Sequence, residues 1–391
     1  MPKLIELHIL QSFAPANLNR DDTGAPKDCL FGGARRARVS SQCIKRAVRR
    51  HFADAKLLGG EELGKRTRLV RDEIATRLAA KGTSEQAQAV AAAALEAVGL
   101  KVTGDGETQY LVFWGPDEMA ALVELAKANW AEFVKVAPAA KDEEVKRGKA
   151  KKGELAKGVS DKIKELAGKV LTLPKAADVA LFGRMLADLP TKNVDAACQV
   201  AHAFSTHKTE MEMDYFTAVD DLQKRESEEG AGAGMIGTVS FNAATFYRYA
   251  NIHLGQLEDN LQGDKELARR AVRAFIQASI EAVPSGKQNT FAAYNPPSFA
   301  LALVRDGGMP MSLANAFETP VRADRANGGG FVQPSIAALD KYWGGVAAAY
   351  GVAGVGHYLL VEDAPLEAVA KAATRVNTIT ELVDKTARAS G

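Results

Sequence analysis

Between Gly32 and Arg50 the chain reads G-G-A-R-R-A-R-V-S-S-Q-C-I-K-R-A-V-R-R, which gathers Arg35, Arg36, Arg38, Lys45, Arg46, Arg49 and Arg50 with no acidic residue among them. The chemistry open to such a run is neutralisation of a polyanion, most often nucleic acid, because the whole chain is close to neutral at +2 and the positive charge is therefore local. A Gly-Gly turn lets backbone approach a ligand closely. A helix start at Ser40-Ser41-Gln42 presents free N–H groups to a phosphate. Contacts of this kind give affinity and salt dependence without reading sequence. A solvated cationic helix face paired with acids elsewhere is the competing account of the same residues.

Other reactive residue types are spaced less tellingly. His202 and His207 are five apart, which is not a metal-ligand spacing on a shared face, and hydrogen-bonding or core roles fit them better. Asp21-Asp22 could bind a metal or accept a proton, or could cap their loop or pair with Arg20. There is no G-x-S-x-G, Walker A or dinucleotide-binding glycine motif in context, and the Gly230–Gly234 run lacks the Lys-Ser/Thr of a phosphate-binding loop. Tyr215-Phe216 sits between Asp214 and Asp220-Asp221, beside that glycine-rich run. Neighbouring strand residues point to opposite faces, so one ring can be core while the other is exposed to stack on a base. Rings packed on the body of the protein are the alternative.

The elements that must position these residues follow from periodicity. Leu4 to Leu10 alternates and predicts a half-buried strand. Ser12 to Gly33 reads as a long polar loop. After a Ser40 or Ser41 cap, Cys43, Ile44, Ala47 and Val48 form an apolar helical stripe, with Lys45/Arg49 and Arg46/Arg50 each stacked four apart. Glu61 to Lys192 is mostly helical and alanine-rich, with Gln86 to Val98 one helix and Pro116 opening another through Leu122, Leu125, Trp130 and Phe133. The charged segment Lys141 to Lys169 reads as an exposed helix pair or loop. Met213 to Thr217 and Met235 to Phe241 predict a β-hairpin with a glycine-rich tip. Phe246 to Ile252 predicts a further strand, and Lys265 to Ala282 a long helix.

With 391 residues, 47% hydrophobic and 25% charged, the chain is long enough for two domains or one large domain with insertions. No run of ~18 apolar residues occurs and the first residues lack a leader pattern, so neither a membrane span nor secretion is expected. Cys29, Cys43 and Cys198, an odd set without CxxC, predict neither a disulfide framework nor a zinc knuckle, and fit a reducing cytoplasm.

The run L-N-R-D-D-T-G-A-P-K-D-C-L-F-G-G-A-R-R-A-R-V-S-S-Q-C-I-K-R-A (Leu18 to Ala47) closely resembles the backbone subunit of the type I-E CRISPR Cascade complex, the CasC family. The resemblance continues in order through Ala201-His202-Ala203, Thr206-His207, D-Y-F-T-A-V-D-D-L-Q (Asp214 to Gln223) and F-Y-R-Y-A-N-I (Phe246 to Ile252). It extends through K-Q-N-T-F-A-A-Y-N-P (Lys287 to Pro296), L-A-N-A-F-E (Leu313 to Glu318) and F-V-Q-P-S-I (Phe331 to Ile336).

The resemblance implies an α+β fold. A modified RRM, ferredoxin-like palm would hold residues 1–58, 195–208 and 240–391, with helical fingers at 59–194 and a β-hairpin thumb at 209–239. It implies copies stacked head to tail along a crRNA, each thumb flipping out a nucleotide, and the segments between left free to pair with a target DNA strand. Further partners would be the large, small, 5′-handle-capping and crRNA-processing subunits of Cascade. No catalytic residue, metal or cofactor is implied, and the setting is cytoplasmic. Carried over by position, Arg20, Lys27, Ser40, Gln42, Lys45, Arg46 and Arg49 match crRNA-backbone contacts. Met185 matches a finger residue that props the kinked RNA, and Tyr215, Phe216 and Thr217 match the thumb wedge. Arg49 stands where lysine is common, and Tyr215 where some members have tryptophan. The charged stretch Lys146–Lys152 is longer than the family pattern. A related possibility is a backbone subunit that also cleaves target RNA through Asp21 or Asp22; another is an unrelated metabolic enzyme with a basic anion site.

Overall fold

The computed structural model describes residues 3–136, 158–172, 174–219, 233–324 and 329–391. The charged stretch 146–152, Asp220, Asp221 and most of the glycine-rich run lie outside the described residues. Two compact units divide the chain: Met1–Ala55 with Gln199–Leu254 and Val272–Gly391, and Lys56–Cys198 with Gly255–Ala271.

The molecule is α+β. Its strands are β1 (Leu4–Ala16), β2 (Asp28–Phe31), β3 (Ala34–Val39), β4 (Lys65–Thr67), β5 (Val112–Trp114), β6 (Cys198–Val200), β7 (Ala203–Ser205), β8 (Glu212–Val219), β9 (Ala233–His253), β10 (Phe299–Arg305), β11 (Val355–Leu360) and β12 (Ala373–Val376). The main path of the large sheet runs β12-β11-β10-β1-β9-β7-β3-β2, with β8 paired to β9 beside it. Pairing along this path is antiparallel except for the parallel β11–β12 contact.

β1 lies at the centre, between β9 and β10, and this position changes what its alternation means. The sequence predicts one buried and one solvated face, but every residue from Leu4 to Leu10 is buried. The polar face is covered by the segment after β10. Glu6 accepts from Arg305 at 2.8 Å, from the Tyr249 hydroxyl at 2.7 Å and from the Met311 amide at 2.6 Å. The Tyr247 hydroxyl accepts from the Leu313 amide at 2.8 Å and shares a hydrogen bond with His8 Nδ1 at 2.9 Å. The apolar side of the same cover comes from Leu313, Phe317, Ile336, Leu339 and Trp343, the last three at helical spacing on the Val332–Tyr350 helix.

Burial of His8, against the raising effect of Glu6 and beside Arg305, lowers its pKa to about 4. The folded chain therefore refuses a proton that the unfolded chain accepts below pH 6.5. Its contribution to stability is intact above pH 6.5 and falls as pH drops toward 4, by up to about 1.4 kcal/mol per pH unit. Urea unfolding at pH 7 and pH 5 checks this: His8→Gln loses less stability between the two than the parent chain. Equal losses would remove His8 as the cause.

Two further differences from the sequence reading concern length. The predicted loop Ser12 to Gly33 contains the end of β1 and all of β2, and the strands predicted at Met235–Phe241 and Phe246–Ile252 are one 21-residue strand, β9. Both follow from pairing across distant sequence: β1 continues to pair with β9 as far as Ala16↔Asn242, and β8 pairs with the first half of β9. The helix α1 (Ser41–Asp54) follows the prediction. It is capped by Ser40, whose hydroxyl accepts from the Cys43 amide, and it buries Ile44, Val48 and Phe52. Each such side chain contributes about 1.5–3 kcal/mol. Ile44 and Val48 share a small void with Leu7 and Ile9, so α1 covers the other face of β1.

The second unit is a helical body around α2 (Val70–Leu78), α3 (Ser84–Val98), α4 (Pro116–Ala128) and α5 (Trp130–Val136), with β4 and β5 as a two-stranded ribbon. Ile74, Val90, Ala94, Trp114, Leu122 and Phe133 are in its core. The helix predicted to run from Pro116 through Phe133 is interrupted at Asn129, whose side chain bonds the Leu125 carbonyl at 2.9 Å. A buried ion pair joins Arg184 to Glu118 at 2.6 Å, and Arg184 also donates to the carbonyls of Phe113 and Thr172.

Candidate nucleic-acid interface

The basic run divides into cations used by the fold and cations left on a surface. Gly32 and Gly33 have φ of +58° and +72° and close the two-residue turn between β2 and β3, where only left-handed residues match the strand twist. A Cβ at Gly32 would lie 1.7 Å from the Glu318 carbonyl oxygen. The close approach expected of this turn is thus to the chain's own backbone, not to a ligand. Arg36 is fully buried. Its guanidinium donates to the carbonyls of Ser205 and Thr206 at 2.9 Å each, Phe317 at 2.8 Å and Glu318 at 3.1 Å, and lies 5.8 Å from the Phe31 ring centroid. Arg35 pairs with Asp28, and Arg38 donates to the Asp28 carbonyl at 3.2 Å and contacts His202.

The helix start is also partly occupied. The first intrahelical bond runs from Ile44 to the Ser40 carbonyl, leaving the amides of Ser41, Gln42 and Cys43 ahead of it. Ser41 donates to His202 Nδ1 at 3.0 Å and Cys43 to the Ser40 hydroxyl at 3.3 Å, while the Ser40 amide donates to Asn19 Oδ1 at 2.8 Å. Burial, with Arg38 and Lys27 nearby, lowers the His202 pKa and keeps the ring neutral, as an acceptor must be. The expected row of free N–H groups reduces to that of Gln42. His207 is a buried bonding histidine: Nδ1 donates to the Lys208 carbonyl, Nε2 accepts from the Thr245 amide, and the ring stacks on Phe331 at 3.7 Å.

What remains exposed is the outer face of α1. Gln42, Arg46 and Arg50 recur every four residues and are exposed, and Lys45 and Arg49 form the adjoining half-buried row. Arg20, Arg46, Arg50 and Tyr294 line an open groove of about 890 Å³. Burial pushes the Cys43 thiol pKa up, and the charges of Lys27 and Arg46 oppose that push. Asp21, Asp22, Asp54 and Glu281 line the same groove. Asp21 caps its own loop, accepting from the Thr23 amide at 2.9 Å, the Thr23 hydroxyl at 2.7 Å and the Ala25 amide at 3.0 Å. The Thr23 bond is the main cause of its lowered pKa. Glu281 meets His51 at 2.9 Å. A second groove of about 610 Å³ lies across the loop 19–26; Arg20 lines both, with Arg35, Met213 and Lys287 on the far side. Two open grooves that share Arg20, Asp21 and Gly24 suit an extended, flexible ligand better than a compact one.

β8 and β9 project as the predicted hairpin, with Tyr215↔Thr238, Phe216↔Gly237 and Thr217↔Ile236 in register. The expectation that one of the two rings is core is not met: Tyr215 is 62% exposed and Phe216 39%. Phe216 lies over the bare backbone of Gly237, where a Cβ would be 2.5 Å from the ring. Replacing both rings with alanine is therefore expected to spare the fold, and, where the rings stack on a single strand, to weaken that binding by about 1–3 kcal/mol per stacked base. Titration of labelled RNA beside a thermal melt checks both parts, and a collapsed melting temperature would return the rings to the core. Met185, 81% exposed, belongs to the helical unit. Sequence reasoning missed Asn19, Lys287 and Tyr294 as groove residues. The breakers Pro284-Ser285-Gly286 and Asn295-Pro296-Pro297, which bracket the last two, were the available signal. Among the described residues no set of His, Cys, Asp or Glu is placed to hold a metal ion, and no helix is long and apolar enough to cross a membrane.

Fold and surface together define an α+β protein with a cationic helix face along one groove, a second groove across the neighbouring loop 19–26, and a β-hairpin with exposed rings. A family model described as CT1975-like protein matches residues 5–385, and the chain belongs to that family. Among solved structures, the chain is similar to one titled "CRISPR RNA-guided surveillance complex, pre-nicking". That match has 34% identity, covers 99% of this chain and 100% of the other, and has a TM-score of 0.83. It is also similar to one titled "CRISPR RNA-guided surveillance complex", with 28% identity, 99% coverage of each chain and a TM-score of 0.73. Among curated proteins none matches.

Proposed function

We propose that this chain is the crRNA-binding backbone subunit of a type I-E CRISPR Cascade complex. The single observation that carries the reading is the end-to-end likeness to a chain of an RNA-guided surveillance complex. The exposed cations of α1 and the two grooves support it from the physics. On this reading the sheet-bearing unit is a modified RRM palm, the helical unit the fingers, and the β8–β9 hairpin the thumb. Copies stack along one crRNA, and Arg20, Lys27, Ser40, Gln42, Lys45, Arg46 and Arg49 hold its backbone. Met185 and the Tyr215-Phe216-Thr217 wedge kink it at a regular interval. The intervening bases pair with a target DNA strand, so specificity resides in base pairing. The other Cascade subunits occupy the ends and flank of the filament in the cytoplasm, and no cofactor takes part.

The subunit itself is non-catalytic on this reading. One oxygen of Asp21, a candidate for RNA cleavage, accepts from Thr23 and Ala25, and the Thr23 bond lowers its pKa, which makes it a weaker base. Nuclease footprinting of the guide in the assembled complex tests the role: protection broken at regular intervals is expected, and uniform sensitivity would contradict it. Magnesium-dependent cleavage of complementary RNA that is lost in Asp21→Ala or Asp22→Ala would contradict the non-catalytic part.

A further inference from the structure

The turn between Pro284 and Pro296 reaches into both grooves, and no role has been given to it. Lys287 lines the smaller groove and Tyr294 the larger, on opposite sides of the loop that carries Arg20. Its backbone is unusual. Lys287 (φ 52°, ψ 24°) and Ala292 (φ 48°, ψ 38°) are non-glycine residues in the left-handed region, one at each end of the single helical turn Gln288–Phe291. L-residues adopt that conformation uncommonly and at a cost; Lys56 and Gln262 are the other such residues among those described.

The surroundings fasten this turn. Gln288 is buried and donates to the carbonyls of Pro284 at 3.0 Å and Ala293 at 3.3 Å. The ring of Phe291 packs 5.8 Å from that of Phe241, on β9 at the root of the hairpin. The Asn295 carbonyl accepts from Gln11 at 2.7 Å, and its side chain accepts from the Ala14 amide at 3.3 Å. A Cβ at Gly286 would lie 2.4 Å from the Leu18 carbonyl oxygen, so the turn presses on the start of the arginine-bearing loop. A rigid turn fastened to the strand, the loop and the hairpin root nevertheless leaves Tyr294 67% exposed. Packing does not account for that ring. It lines the same groove as Arg20, Arg46 and Arg50, together with the acids Asp21, Asp22, Asp54 and Glu281.

Resting on the reading above, we propose that this turn is a second contact element for single-stranded RNA. Tyr294 stacks on an unpaired base whose flanking phosphates meet Arg46 and Arg50, and Lys287 neutralises a phosphate across the loop. An inorganic anion would use the cations but not the ring; an unstacked nucleotide uses both. The bonds of Gln288 and Asn295 fasten the backbone that carries Lys287 and Tyr294, so that one strand crossing the loop meets both.

The test is binding of the full-length chain to a single-stranded RNA of guide length across a salt series. Tyr294→Ala is expected to weaken binding roughly 5- to 150-fold with an unchanged salt slope, and Tyr294→Trp to restore it. Lys287→Asn, which tolerates the left-handed backbone, is expected to lower the log–log salt slope by about 0.7. Parental affinity in Tyr294→Ala, with binding still lost in Arg46→Glu, would overturn this inference and leave the RNA reading standing. Failure of Tyr294→Trp to restore binding would overturn the stacking role. A parent chain that binds no RNA would overturn both.

Discussion

Arg36→Ala lowers the stability of the chain by about 3–5 kcal/mol in urea unfolding, the largest loss expected of any cation in the basic run. Four backbone carbonyls from two separate segments converge on this guanidinium, and each buried acceptor left without a donor costs about 1–3 kcal/mol. Arg36→Lys recovers only part, because a compact ammonium cannot reproduce the planar fork. The RNA-binding salt slope of the folded variant stays at the parental value. If stability were unchanged and the slope fell by about 0.7 instead, Arg36 would be a phosphate contact and its burial irrelevant.

The opposite pattern is expected of Arg46→Glu with Arg50→Glu. Both side chains are exposed on the groove face of α1, away from the buried Ile44–Val48–Phe52 stripe, so the melting temperature moves little. Binding to single-stranded RNA weakens equally for every guide sequence, and the salt slope falls by about 1.4, the value for two phosphates on a single strand. The adjoining row, Lys45→Glu with Arg49→Glu, is expected to behave alike if it grips successive phosphates of the same strand. Sequence-dependent losses would mean that these residues read bases. Unchanged binding at both low and high salt would remove the helix face from the interface.

The contrast between these two variants marks where the sequence was legible. α1 could be read directly: its cap, its apolar stripe and its stacked cations all lie within fourteen residues, and local geometry decides them. Arg36 could not be read, because its acceptors lie about 170 and 280 positions away and a charge on a short strand otherwise looks solvated. The same holds for Gly32, recognisable as a turn residue but not as the point where Glu318 comes against the hairpin. Glu6 and His8 gave β1 the alternation of a half-exposed strand; only the cover contributed by Met311 and Leu313 turns that polar face inward. The family strings extended the proposed binding contacts well beyond what charge alone supported. Tyr294, inside one of those strings, had no visible role in the sequence; it is the fold that brings it to the groove that Arg20 and Arg46 also line.

The central claim is that this chain holds a guide RNA, and its most direct measurement is the nucleic acid content of the protein purified with its complex. A raised absorbance ratio at nucleic-acid wavelengths and a discrete, guide-sized, RNase-sensitive band are the expected result. A protein-only spectrum from an intact assembly, or a smear of unrelated lengths, would contradict the account.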